Sequence, residues 1–121
     1  MNFYLPDFCN EYKLNMYILK LKQEHPEYFN DNMNIKAIYG SFPGMIWNGG
    51  RNFYGYSNYN EIKSTIEDFN KIGIALRFTL TNCMLQEHQV LDTYCNMVLE
   101  TANTGMNEII VNSSILENFL R

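Results

Sequence analysis

The sequence predicts an α/β protein: parallel strand–helix repeats forming a partial (β/α) barrel-like unit, preceded by an N-terminal helix. Three observations predict it. Apolar runs with β character begin near Ile35, Ile74 and Met106, and each is followed by a stretch with helical periodicity. Their spacing suits one strand–helix unit of a barrel, since about 250 residues over eight units is roughly 31 apiece. A parallel return also needs a right-handed helical crossover, and both complete crossovers in the pattern contain a helical stretch.

Taken in order, Leu14, Tyr17, Ile18 and Leu21 form the i, i+3, i+4, i+7 stripe of an amphipathic helix. The helix ends before His25-Pro26, because a residue preceding proline resists the α region. Residues 1–34 are therefore read as a helix and a polar turn, placed over the barrel's N-terminal end or over a sheet edge. Residues 35–121 hold three strand–helix units, the last incomplete.

The first strand covers residues 35–40, and a glycine-punctuated loop runs on to Gly55. Asn58 and Glu61 resemble a capping box, Ile62, Thr65, Ile66 and Phe69 form the buried stripe, and Gly73 closes the helix. The second strand covers residues 74–81, followed by a helix with Leu91, Tyr94, Cys95 and Val98 on one face and Gly105 at its end. The third strand lies within residues 106–112, and Ser114 with Glu117 has the S-x-x-E form of a helix start. Two architectures fit these units: a piece of a (β/α)8 barrel, or a small complete sandwich with a three-stranded parallel sheet. The barrel piece is favoured, because a lone parallel sheet would leave both edges open, and parallel sheets normally need both faces covered.

A chain of 121 residues supports one domain, and 46% hydrophobic residues describe a globular chain, not a disordered one. The net charge of -4, with no Lys/Arg-rich stretch on any predicted face, argues against nucleic acid. No apolar run approaches the ~20 residues of a membrane span, so a cytoplasmic protein is the expectation. Cys9, Cys83 and Cys95 lack CxxC spacing and read as reduced thiols, with Cys95 filling the core. No cofactor fingerprint or metal-ligand spacing is present. His25 and His88 have no nucleophile or carboxylate at motif spacing.

Ligands meet parallel α/β sheets at the carboxyl ends of the strands, which selects three loops. After the first strand come Gly40-Ser41 and then Asn48-Gly49-Gly50-Arg51, where turned backbone N–H groups and a guanidinium fork could clamp a small anionic ligand. In the second strand, alternation puts Arg77, Thr79 and Thr81 on the side opposite Leu76, Phe78 and Leu80. Arg77 needs a carboxylate, from Glu108 on the next strand or from further barrel units, and serves either that pairing or a ligand. Thr81 and Asn82 end this strand, and Asn112 with Ser113 holds the same place on the third. The candidate ligand-binding set is thus Arg51, Arg77, Thr81, Asn82 and Asn112. Trp47, Phe53, Tyr54 and Tyr56 make the first loop aromatic, either as a stacking wall or as packing against barrel units or a neighbouring subunit.

Residues 39–116 resemble the N-terminal part of the collagenase-like peptidase family. The carrying motifs are Tyr39-Gly40 followed by Arg51, Asn60-Glu61-Ile62 at a helix start, Thr79-Leu80-Thr81-Asn82 ending a strand, and Asn107-Glu108-Ile109-Ile110-Val111 before a small polar turn. The resemblance implies a barrel. The family's signature glutamate, histidine and cysteines have no counterpart here, so it carries no peptidase, RNA-modification or iron–sulfur expectation to this chain. Two functions follow: the N-terminal portion of a barrel-type enzyme, inactive alone because barrel sites draw on several strands, or a self-associating α/β binding module without catalytic activity. The partner is then either missing C-terminal barrel units or a second molecule.

Overall fold

The computed structural model describes residues 2–50 and 54–121. Apolar and β-branched runs form four strands, β1 (Asn2–Pro6), β2 (Asn34–Gly40), β3 (Ala75–Leu80) and β4 (Glu108–Val111). Four helices alternate with them: α1 (Tyr12–Glu24), α2 (Tyr59–Lys71), α3 (Thr93–Ala102) and α4 (Ser114–Leu120). The strands make one sheet in the order β1-β2-β3-β4, and every neighbouring pair is parallel. The α/β class with parallel strand–helix repeats therefore holds.

The N-terminal reading needs correction. Residues 1–34 are not a helix and turn appended to the repeats, because Asn2–Pro6 is a strand and α1 is the crossover that returns the chain to β2. Among the described residues the sheet has four units, not three. Helix α1 accordingly packs beside α2, where Tyr12 meets the Phe69 ring edge-on at 5.5 Å, rather than covering an end or an edge.

Consecutive right-handed crossovers in strictly sequential order carry all helices to one face of the sheet. The core follows that asymmetry. Ile38, Leu76, Phe78 and Leu80 of the sheet are buried with Ile62, Ile66 and Phe69 of α2, Cys95 and Val98 of α3, and Leu116 of α4 in one cluster. The alternate side chains, including Tyr4, Tyr39, Arg77 and Ile110, belong to the opposite face and are half-buried or exposed. Among the described strand residues only small Ala37, between Tyr4 and Ala75 in the register, is buried on that side.

Helix ends follow local chemistry with small departures from the expected positions. The Asn58 side chain accepts from the Glu61 backbone N–H at 2.8 Å, and Gly73 takes the positive φ that ends α2. Of the two adjacent serines at the start of α4, Ser113 and not Ser114 caps it, accepting from Leu116 N–H at 3.3 Å, while Ser114 is the first residue of the helix. Leu91 departs from its expected face. It closes a 3-10 turn, Glu87–Leu91, ahead of α3 and is largely exposed.

At the N-terminal ends of the strands a polar hub replaces apolar packing. Asn70 and Asn107 exchange both amide hydrogen bonds, at 2.9 and 3.0 Å. The Asn107 oxygen also accepts from Leu76 N–H at 2.9 Å, and its nitrogen donates to Ala102 O at 2.8 Å. One side chain so ties the end of α3 to the start of β3 and the last turn of α2. Asn107→Ala orphans the Leu76 N–H and is expected to cost about 2 kcal/mol in urea unfolding.

Candidate functional site

The carboxyl ends of β1, β2 and β3 surround a cleft of about 410 Å³. Pro6, Asp7, Asn10 and Glu11 form one wall, residues 39–43 the floor and second wall, and Asn48, Gly50, Thr79 and Thr81 the third. Each wall arises from a strand that ends where its chain must turn. After β1, Asp7 adopts φ +59, a left-handed geometry that Asp tolerates because its carboxylate bonds locally. That carboxylate accepts from the Asn10 backbone at 3.0 Å and from its amide at 3.2 Å. Asn15 on α1, fully buried, donates to Pro6 O at 2.9 Å and Asp7 O at 3.2 Å, satisfying the carbonyls that leave the sheet.

On the third wall, Asn48 is buried, and its Oδ1 accepts from Thr79 Oγ1 at 3.1 Å and from Gly50 N–H at 3.2 Å. Gly49 N–H donates to Thr81 Oγ1 at 3.3 Å, and Asn82 N–H donates to Trp47 O at 3.0 Å. The long β2–α2 loop is thereby pinned against the end of β3. Its aromatic residues have separate roles. Trp47 is a core residue, whereas Tyr54 is fully exposed and Tyr56 packs edge-on against Tyr94 at 4.9 Å. Phe53 lies outside the described residues.

The five predicted site residues fare differently. Thr81 lines the cleft. Arg77 stops short of it, because Nε and Nη2 both hold Glu108 Oε2 at 2.7 Å and the guanidinium lies 4.5 Å from the centre of the Tyr4 ring. The pair is partly wet, with the Arg77 and Glu108 side chains 27% and 46% exposed. Of the two carboxylate sources expected for Arg77, Glu108 is the one it uses. Asn82 turns away into the loop, donating to Ile46 O at 2.8 Å and accepting from Met84 N–H at 3.0 Å. Asn112 follows β4, exposed and outside the cleft lining. Arg51 lies outside the described residues, directly after the lining residue Gly50.

The wall that sequence reasoning missed is Asp7, Asn10 and Glu11. Its signal was Phe3-Tyr4-Leu5, a β-prone triplet, followed by the turn pair Pro6-Asp7. With it the described lining carries two carboxylates and no cationic side chain, together with hydroxyls and amides and the apolar surfaces of Pro6, Tyr39, Phe42 and Pro43. Such a surface accepts hydrogen bonds more readily than it donates them. Among the described residues no group of three or more His, Cys, Asp or Glu could hold a metal ion, and no helix is long and apolar enough to cross a membrane.

A polar contact also joins α1 to α2. The Tyr12 hydroxyl donates to Asp68 Oδ2 at 2.5 Å, and this bond, with some burial, pushes the phenol up to about 12. Folding therefore favours the neutral phenol. The contribution is complete below about pH 10, the ordinary tyrosine value, and is lost as pH rises through about 12. The stability gap between wild type and Tyr12→Phe should accordingly narrow across that window, read by urea midpoints at successive pH values. Cys95, in the core, is likewise pushed up to about 12 by burial, which keeps it an inert thiol.

Compared with protein-family models, with curated proteins and with solved structures, the chain matches none.

Proposed function

We propose that this chain is the ligand-holding portion of a barrel-type enzyme, and that the cleft at the carboxyl ends of β1–β3 binds a small polyhydroxyl or amino-polyol molecule. The observation that carries the proposal is the lining itself: Asp7, Glu11 and Asn48 from the loops after β1 and β2 meet Thr79 and Thr81 at the end of β3 on one concavity that Tyr39 also lines. Carboxylates and hydroxyls accept from ligand hydroxyl or ammonium groups, and the aromatic and proline surfaces suit the C–H face of a sugar-like ring. The position is the one at which parallel α/β proteins meet their ligands. A barrel-type architecture is also what the collagenase-like peptidase resemblance implies, and the proposal takes from that resemblance the architecture alone.

The anionic ligand expected from Gly49-Gly50-Arg51 is the second reading, and it depends on Arg51. Ligand-observed NMR with sets of neutral polyols, amino-polyols and small anions separates the two. Polyols or amino-polyols should bind and perturb the amides of residues 7–11, 39–43 and 79–81, with affinity falling roughly ten-fold in Glu11→Gln, the scale of one lost hydrogen bond to a charged group. Anion binding abolished by Arg51→Ala, without polyol binding, would replace this proposal. Perturbations mapping away from the three strand ends would remove the site.

A further inference from the structure

We infer that two copies of this chain close on each other into an eight-stranded parallel barrel, β4 of each pairing with β1 of the other. The inference rests on the sheet and not on the cleft, so it stands or falls separately from ligand binding.

Among the described residues both edges of the sheet are open, since β1 pairs only with β2 and β4 only with β3. Natural edge strands are usually blunted by charge. Here β1 carries no charged residue, has its one proline at its last position, Pro6, and a register shift between Phe3 and Tyr4, and leaves both of those aromatics 39% accessible. β4 exposes Ile109 at 46% and Ile110 at 39%. The sheet face away from the helices is equally unprotected, although parallel sheets are ordinarily covered on both sides.

The order and direction of the strands select the occupant. In a parallel sheet ordered β1-β2-β3-β4, the next position beyond β4 takes a strand running the same way, and β1 of a second copy supplies it. The same step at the other edge closes the ring, and four strands from each copy reach the number at which a parallel barrel fills its interior with side chains. A two-fold axis along the barrel relates the halves, so both clefts open at one end. Charge permits the burial: Arg77 and Glu108, the charged residues of β3 and β4, already neutralise each other at 2.7 Å, so closing the face buries no unpaired charge from either strand. A helix or loop laid over this face would cover it but leave both edges unpaired.

Light scattering on the full 121-residue chain at low micromolar concentration should give one species at twice 14.3 kDa. Ile110→Lys, which sets an ammonium on the inner face, should give a monomer that keeps its far-UV circular dichroism. Tyr54→Lys, on a fully exposed loop residue, should remain dimeric. If Ile110→Lys does not fold, Phe3→Glu at the β1 edge reads the same outcome. Hydrogen exchange distinguishes edge pairing from other dimers: amides of β1 and β4 should exchange at least roughly ten-fold faster in the monomeric variant than in wild type. A wild-type monomer, an assembly that grows beyond two copies, or a dimer whose β1 and β4 amides exchange as in the variant would each overturn the closed pair. Dimerisation only with an unrelated protein would do the same.

Discussion

Trp47→Ala is expected to lower stability by about 4 kcal/mol, within the range for truncating a buried tryptophan. Trp47 is completely buried, lies edge-on to Phe119 of α4 at 6.4 Å, and donates from Nε1 to Gln89 O at 2.9 Å in the turn before α3. The ring thus joins the β2–α2 loop to the 3-10 turn before α3 and to α4. Against a total of roughly 6–18 kcal/mol for a chain of this length, the loss should bring the Tm down by roughly 10–20 °C. Trp47→Phe separates the two contributions, since it restores much of the volume and leaves only the Gln89 carbonyl without its donor. Calorimetry on the three proteins should place Trp47→Phe much closer to wild type than Trp47→Ala. If the two variants were equally destabilised, the hydrogen bond and not the packing would carry the effect.

Gly49→Val should cost about 3 kcal/mol or more, and Gly49→Ala nearly as much. A Cβ on Gly49 would stand 2.3 Å from Thr81 O, 2.4 Å from Thr81 C and 2.7 Å from Asn82 N. All three are backbone atoms of the strand end, so no side chain can rotate away. The cost is overpacking against a rigid element, and it begins with the first carbon, which is why alanine and valine should behave alike. Relief requires lifting the loop from β3, which breaks the Asn82 N–H bond to Trp47 O and the Gly49 N–H bond to Thr81 Oγ1. The third wall of the cleft moves with it, so ligand affinity should fall together with the urea midpoint. A Gly49→Ala protein within about 0.5 kcal/mol of wild type, the usual effect of an unconstrained surface change, would refute this account of the loop.

The pairing of Arg77 was legible because alternation along one strand and proximity to the next are short-range properties. Arg77 and Glu108 are register partners, and a charged residue in a sheet selects an opposite charge within reach. Asn82 and Asn112 do not line the cleft, for the reverse reason. Position at a strand end says that an amide is near the mouth, but not which way it turns, and the Asn82 amide satisfies the Ile46 carbonyl instead. Strand β1 escaped because five residues carry too little alternation to register as a period. Leu91 was assigned to a helical face because the 3-10 turn at Glu87–Leu91 shifts the angular phase before α3 begins at Thr93.

Read alone, the amino-acid order determined the parallel α/β class and the alternation of strands with amphipathic helices. Those properties come from burying one stripe of a segment about ten residues long, so each segment records its own environment. Only the tertiary structure decided that a fourth strand opens the sheet, that Asp7, Asn48 and Thr81 share one cleft, and that Arg77 is held below it. These residues are far apart in sequence and meet through strand register and a pinned loop. No local pattern encodes such meetings, because their free energy depends on pairs of segments and not on either segment by itself.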